Sequence, residues 1–289
     1  MSEIVTRLAP RGINHDAGKS TLELEHVSVS FADGSNGVTM ASGSTYALKD
    51  LTFAVGRGER VAVVGPNGAG KTTLFRLIVG TIAPSQGQVN IYGHGPGDHI
   101  CIAYVPQRNQ IDFTFPATVE DVVMMGRVGR IGLFRWPRRH DREVVRASLA
   151  RVQATHLAKR QIGELSGGQQ QRIFIARALA QEAELLLMDE PLNGLDLPSQ
   201  ERIFTILEGL RADGVTVVVA THDLNLAAER FDRVLLLNHE LIAYGPAEQA
   251  LSAPHLLQAY GGQARIIDGE QNLFLIDDCC GRDEHDDEP

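Results

Sequence analysis

In the run Gly65-Pro66-Asn67-Gly68-Ala69-Gly70-Lys71-Thr72-Thr73 the first eight residues match the spacing G-x-x-x-x-G-K-[ST]. That spacing suits the binding of a triphosphate. Its glycines let the backbone wrap close enough for amides to point inward. The helix that follows adds its positive end. Lys71 is placed to reach the β- and γ-phosphates, and the Thr72 hydroxyl to ligate Mg²⁺. A second group of reactive types closes the apolar run Leu185-Leu186-Leu187-Met188-Asp189-Glu190. A buried strand would present Asp189 at the carboxyl edge of a sheet, near the phosphate loop. There it would hold Mg²⁺, through water, while Glu190 polarises an attacking water as general base. Alone, Asp-Glu-Pro is equally good turn chemistry. The phosphate loop, with Lys71 118 residues before Asp189, favours the functional reading. A third segment, Leu165-Ser166-Gly167-Gly168-Gln169, puts small residues at a helix start. It offers either a second anion site, serving a nucleotide on another subunit, or an ordinary Ser N-cap.

These groups need elements to hold them. Leu22 to Phe31 alternates as a strand does, and Leu51 to Val55 reads as a second strand. Ala32 to Thr45 is Gly/Ser/Asn-rich and reads as a loop. Arg60 to Gly65 is a short apolar run suited to a buried parallel strand, and Thr72 to Gly80 is the expected helix after the glycine loop. Strands are expected at 88–92 and 100–105, and again at 185–188, 215–220 and 234–237. Between them, 119–180 turns helical, with helices at 142–158 and 168–180. Helices at 197–210 and 224–231 separate the later strands. The alternation predicts an α/β fold, a sheet flanked by helices with a helical block inserted in it.

With 289 residues the chain can bury a substantial core. Its 43% hydrophobic and 22% charged residues are an ordinary soluble composition, which excludes whole-chain disorder. No apolar run approaches the roughly 18 residues that cross a bilayer. Met1 to Ser20 holds no apolar core of a signal peptide, so a cytoplasmic location is expected. Three cysteines are too few for a disulfide scaffold. The net charge of −9 is unevenly spread. Residues 277 to 289 carry seven acids and Arg282, a net −6, which leaves −3 for the rest. Residues 127 to 160 carry ten bases against Asp141 and Glu143, a local +8 that reads equally as a solvated helical face or a docking face.

The phosphate loop, Leu165 to Gln169 and Asp189-Glu190 together resemble the nucleotide-binding subunits of ATP-binding-cassette transporters. Three further pieces match in the family's order. Val105-Pro106-Gln107 is similar to the loop whose glutamine contacts Mg²⁺ and the transport partner. Asn193-Gly194-Leu195-Asp196 is similar to the loop that crosses the dimer interface, and Thr221-His222-Asp223 to the switch histidine at the γ-phosphate. The resemblance spans residues 22 to about 245. It implies a P-loop NTPase core with a mostly parallel sheet, an antiparallel β subdomain and an inserted α-helical subdomain at about 110–180. The implied layout is an extension at 1–20, the cassette at 21–245, a C-terminal extension at 246–276 and the acidic tail at 277–289. The family stacks adenine on an aromatic residue ahead of the phosphate loop; Phe31 fits, and Tyr46 is a rival. No N-K-x-D guanine-reading motif occurs, in agreement with ATP.

Phe115, Pro116, Thr118, Val119, Asp121, Val122, Val123, Met125, Gly126 and Arg127 resemble the manganese, zinc and iron branch of importer ATPases. Siderophore and cobalamin importers share Gly126-Arg127. In the family this stretch reads the membrane subunit. The resemblance therefore implies an ATP- and Mg²⁺-dependent ATPase energising a divalent-metal importer, peripheral on the cytoplasmic face of the membrane. Its partners would be a second copy of the chain, polytopic permease subunits and an extracytoplasmic metal-binding protein. A non-transport cassette is the competing class. Nucleic acid is not expected, since ribosome-acting cassettes join two nucleotide domains in one chain and DNA-repair relatives insert long coiled coils. The tail, with Cys279, Cys280 and His285 among its acids, reads as a solubilising appendage, with a metal sensor as the alternative.

Overall fold

The computed structural model describes residues 20–31, 38–39, 45–96, 101–107, 115–132, 135–261, 264–265 and 274–275. The expected N-terminal extension, apart from Ser20, and the acidic tail lie outside the described residues.

Strands β1 (Leu22–Phe31), β2 (Val38–Thr39) and β3 (Thr45–Val55) come first. Strand β4 (Arg60–Val64) then leads into helix α1 (Lys71–Val79), and β5 (Gln86–Ile91) follows. Strands β1, β2, β3 and β5 form an antiparallel sheet in the order β2-β3-β1-β5. Strand β3 begins at Thr45, ahead of the expected Leu51, because its first residues pair with the far end of β1. Val38–Thr39 also pairs, inside the stretch expected to be a loop.

A second sheet combines β4 with β6 (Ile102–Val105), β7 (Leu185–Asp189), β8 (Thr216–Ala220), β9 (Arg233–Asn238) and β10 (Glu240–Gly245). Its order is β10-β9-β4-β8-β7-β6, all parallel except the β9–β10 hairpin. Val61 to Val64 are fully buried because this sheet is covered on both faces. Val61 and Val63 join α1 and the antiparallel sheet in one core, while Ala62 and Val64 face the helices of the other.

Between β6 and β7 stand α2 (Val119–Met125), α3 (Val128–Ile131), α4 (Arg139–Arg151) and α5 (Gly167–Ala180). Helix α4 is shorter than the expected 142–158. It starts early because the Arg138 amide donates to the Asp141 carboxylate at 2.9 Å. It stops where Gln153 turns left-handed at φ 56°, and a 3₁₀ turn follows at Thr155–Leu157. Helices α6 (Leu197–Ala212) and α7 (Leu224–Arg230) connect the later strands, α8 (Ala247–Ala250) and α9 (Ala253–Tyr260) follow β10, and the short strands Ala264–Arg265 and Phe274–Leu275 pair antiparallel after them.

Gly126 and Arg127, expected within a partner-reading stretch, are packing residues. A side chain at Gly126 would place its Cβ 2.2 Å from the Arg177 carbonyl of α5. Arg127 is buried; it pairs with Asp141 at 3.2 Å and Glu182 at 2.8 Å and donates to the Ala180 carbonyl at 2.9 Å. Its charge locks α2, α4 and the end of α5 together. Phe115, Met125, Val128 and Trp136 remain exposed, Trp136 at 90%.

Candidate active site

The phosphate loop is shaped by close approaches that only glycine permits. A Cβ on Gly65 would lie 2.0 Å from the Leu237 carbonyl at the end of β9. Gly70 sits at φ 96°, where a Cβ would meet the Ala47 carbonyl at 2.7 Å. Helix α1 begins at Lys71, so its unpaired N-terminal amides rise from the loop. Lys71 Nζ donates to the carbonyls of Gly65 at 2.6 Å and Pro66 at 3.0 Å. Burial pushes its pKa down, against the opposing pull of Glu190 and Asp189.

A cavity of about 710 Å³ opens over the loop. Residues 67–73 line it, with Arg76, Gln107, Asp189, Glu190 and His239. Its size lies in the roughly 300–1,000 Å³ range of small-molecule sites.

Asp189 ends β7 and is buried. Its Oδ2 accepts from the Thr72 hydroxyl at 2.8 Å and from Tyr104 at 3.4 Å. Burial raises its pKa; the Thr72 bond works against that shift and nearby Glu190 adds to it. Thr72 and Asp189 thus set a hydroxyl and a carboxylate side by side, with the Gln107 amide on the same cavity wall. A hard cation such as Mg²⁺ prefers this oxygen-donor set, so the residues fit that ion.

Successive side chains on a strand alternate in direction. Glu190 nevertheless lines the same cavity as Asp189, because its backbone turns left-handed at φ 47°. A left-handed non-glycine residue costs roughly 1–2 kcal/mol and is worth attention where reactive groups gather. Its Oε2 accepts from Gln107 Nε2 at 2.8 Å and from Asn193 Nδ2 at 3.3 Å.

His222 follows β8, the strand between β4 and β7, so it stands at the same sheet edge. It is exposed and outside the cavity wall. Asp223 beside it accepts from the Leu226 amide at 2.9 Å and caps α7.

Ser166 to Gln169 also stand outside this cavity. Ser166 is the N-cap of α5 and forms a reciprocal box with Gln169. Gly168 packs on α6, where a Cβ would meet Ser199 Oγ at 2.5 Å. Asp196 caps α6 by accepting from the Ser199 amide at 3.2 Å, and hydrogen bonds with Ser199 hold its pKa down. The ends of α5 and α6 therefore stand together as one surface, with Ser166, Asn193, Gly194 and Asp196 exposed on it. Phe31 ends β1, and its side chain lies outside the described residues; Tyr46 is half-buried on β3.

Sequence reasoning missed Tyr104, Arg76 and His239, and it read Asn193 only within the interface loop, not as a partner of Glu190. Tyr104 and Arg76 follow from strand and helix register once β6 and α1 are drawn. His239 needed the β9–β10 turn, which the half-buried β10 did not announce by alternation.

The family model described as ABC transporter matches residues 48–193. The manganese transport system ATP-binding protein MntB of Bacillus subtilis is 44% identical over 231 residues, which are 80% of this chain and 92% of that protein. The chelated iron transport system membrane protein YfeB of Yersinia pestis is 45% identical over 234 residues, 80% of this chain and 78% of that protein. Among solved structures, an inward-facing putative metal-chelate type ABC transporter superposes with a TM-score of 0.72 at 31% identity, covering 89% of this chain and 96% of that one. A dimeric bacterial ABC transporter cassette superposes at 0.65 and 28% identity, covering 78% of this chain and 98% of that one.

Proposed function

The chain belongs to the ABC transporter family as an ATP-hydrolysing cassette, and from that premise we propose that it energises the import of divalent transition metal ions through separate membrane subunits. The carrying observation is the convergence of Lys71, Thr72, Asp189, Glu190 and Gln107 on one cavity. Backbone amides of residues 67–72 cradle the phosphates, and Lys71 exchanges its two carbonyl partners for phosphate oxygens. Thr72, Asp189 and Gln107 would hold Mg²⁺, which would supply charge neutralisation to the triphosphate. Glu190 accepts a proton from the attacking water as general base. His222, one strand over, turns toward the γ-phosphate.

Ser166, Gly167, Gly168, Gln169 and Asp196 serve the nucleotide held by a second copy of the chain. The exposure of Ser166 and Asp196 on one surface apart from the chain's own cavity, with Gly168 packed beneath them on α6, and the dimeric relative support that reading. The exposed Phe115, Met125 and Val128 form the face toward the permease on the cytoplasmic side of the membrane. Among the described residues no helix is long and apolar enough to cross a membrane, so the translocation path comes from partner chains. An extracytoplasmic binding protein would deliver the ion.

The substrate reading rests on the manganese- and iron-transport relatives. A metal-chelate importer is the second reading, favoured by the superposed metal-chelate type transporter. Uptake of radioactive manganese, zinc and ferrous ions by the native host tests this, with the chain replaced by its Glu190→Gln variant. Loss of free-ion uptake supports the first reading. Unchanged ion uptake with lost uptake of an iron chelate or cobalamin supports the second.

A further inference from the structure

We propose that His239 reads the purine end of the bound nucleotide, accepting a hydrogen bond at Nε2 from the exocyclic amine of adenine. The inference rests on the ATP-binding reading and adds a base-recognition residue to it.

The order of the sheet gives the cavity two ends. Gln107 and Glu190 follow β6 and β7, on one side of β4. His239 follows β9, on the other side, and belongs to the same cavity wall. A triphosphate laid along the loop with its γ-phosphate at Asp189 and Glu190 runs its nucleoside toward β9. The side chain there is a histidine.

Its backbone is pinned from two directions. The His239 amide donates to the Ala69 carbonyl of the phosphate loop at 2.9 Å. Its own carbonyl accepts from the Lys49 amide of β3 at 2.7 Å. The residue is left-handed at φ 57°. That conformation favours glycine or asparagine, so a histidine here is held against local preference.

The ring chemistry then follows from one contact. Nδ1 lies 3.2 Å from the Ala47 carbonyl oxygen. A carbonyl has no proton to give, so Nδ1 carries the hydrogen. In the neutral ring Nε2 is therefore an acceptor. No described residue supplies a donor to it. Adenine carries an amine at C6 that can fill this role, while a 6-oxo purine presents a second acceptor and is disfavoured. Tyr46, one of the two aromatic candidates for stacking, immediately precedes Ala47. Stacking holds any purine; an acceptor at Nε2 distinguishes among them.

Calorimetric titration of the full-length protein with ATP and with ITP tests the inference. His239→Gly removes the ring and accepts the left-handed turn without strain. His239→Phe keeps a ring and removes both nitrogens. Wild type should bind ATP roughly tenfold more tightly than ITP, the scale of one hydrogen bond. Both variants should bring ATP down to the ITP level and leave ITP within about twofold. Equal losses for the two nucleotides, or an unchanged preference for ATP, overturn the proposal. Wild type that binds both nucleotides equally overturns it alone. Wild type that binds neither overturns the ATP-binding reading and this inference with it.

Discussion

The side-chain amide of Gln107 donates to Oε2 of Glu190 at 2.8 Å, joining the end of β6 to the end of β7. Asn193 reaches the same oxygen at 3.3 Å. One carboxylate thus holds two amides on segments that lead in different directions. Gln107 leads toward the helical block, and Asn193 toward the cap of α6. A displacement of either segment is felt at Glu190, the proposed general base.

Glu190→Gln keeps Lys71, Thr72 and Asp189, so MgATP affinity should stay within about threefold of wild type. It removes the proposed base, and turnover should fall by about 10²- to 10⁴-fold. Phosphate release under saturating MgATP measures it. Wild-type turnover would show that Glu190 is not the base.

Arg127→Ala leaves the nearly buried Asp141 without its arginine, while Glu182 keeps Arg130 at 3.1 Å. Breaking one side of a buried pair costs about 3–5 kcal/mol. Urea denaturation at pH 7 should show a loss on that scale. Burial pushes the Asp141 carboxyl up, but hydrogen bonds from the Arg138 amide and Arg127 outweigh it and hold its pKa below the usual range. A depressed carboxyl contributes fully above its unfolded pKa, about 3.9, and its contribution is lost as pH falls through the folded one. The gap between wild type and Arg127→Ala should therefore narrow in acid. A constant gap down to pH 2 would place the cost elsewhere.

These same residues mark where sequence reading stops. The phosphate loop, β4 and β7 are readable because their determinants are local, with apolar runs ending in glycines or acids. Ser166 is readable as a helix cap for the same reason. Gly126-Arg127 is different. Its burial depends on Arg177 and Glu182, more than 50 residues away, and no local pattern announces that compensation. The early start of α4 turns on a carboxylate capping the backbone of Arg138. The turn holding His239 is fixed by contacts to Ala69 and Lys49, far off in the chain.

Burial pushes the Cys101 thiol up to about 11, and Glu184 adds to the shift. At pH 8 only about one thiol in a thousand is then a thiolate. In a Cys279→Ser/Cys280→Ser chain, iodoacetamide should modify Cys101 at least about 100-fold more slowly than a free thiol, until urea exposes it. The raised value also fixes the sign of the pH effect. Its contribution to stability is whole below the ordinary thiol value of about 8.5 and is lost as pH climbs through the folded value. Fast labelling of the folded chain at pH 8 would contradict the burial.

The central claim is that each ATP is held between the phosphate loop of one copy and Ser166-Gly167-Gly168 of another. Sedimentation of Glu190→Gln in MgATP tests it most directly, because nucleotide binds and is not consumed. The account predicts a monomer without nucleotide, a dimer with MgATP, and a monomer in both conditions once Ser166→Arg is added. A Glu190→Gln chain that binds MgATP and stays monomeric, or one that dimerises equally with Ser166→Arg, would contradict it.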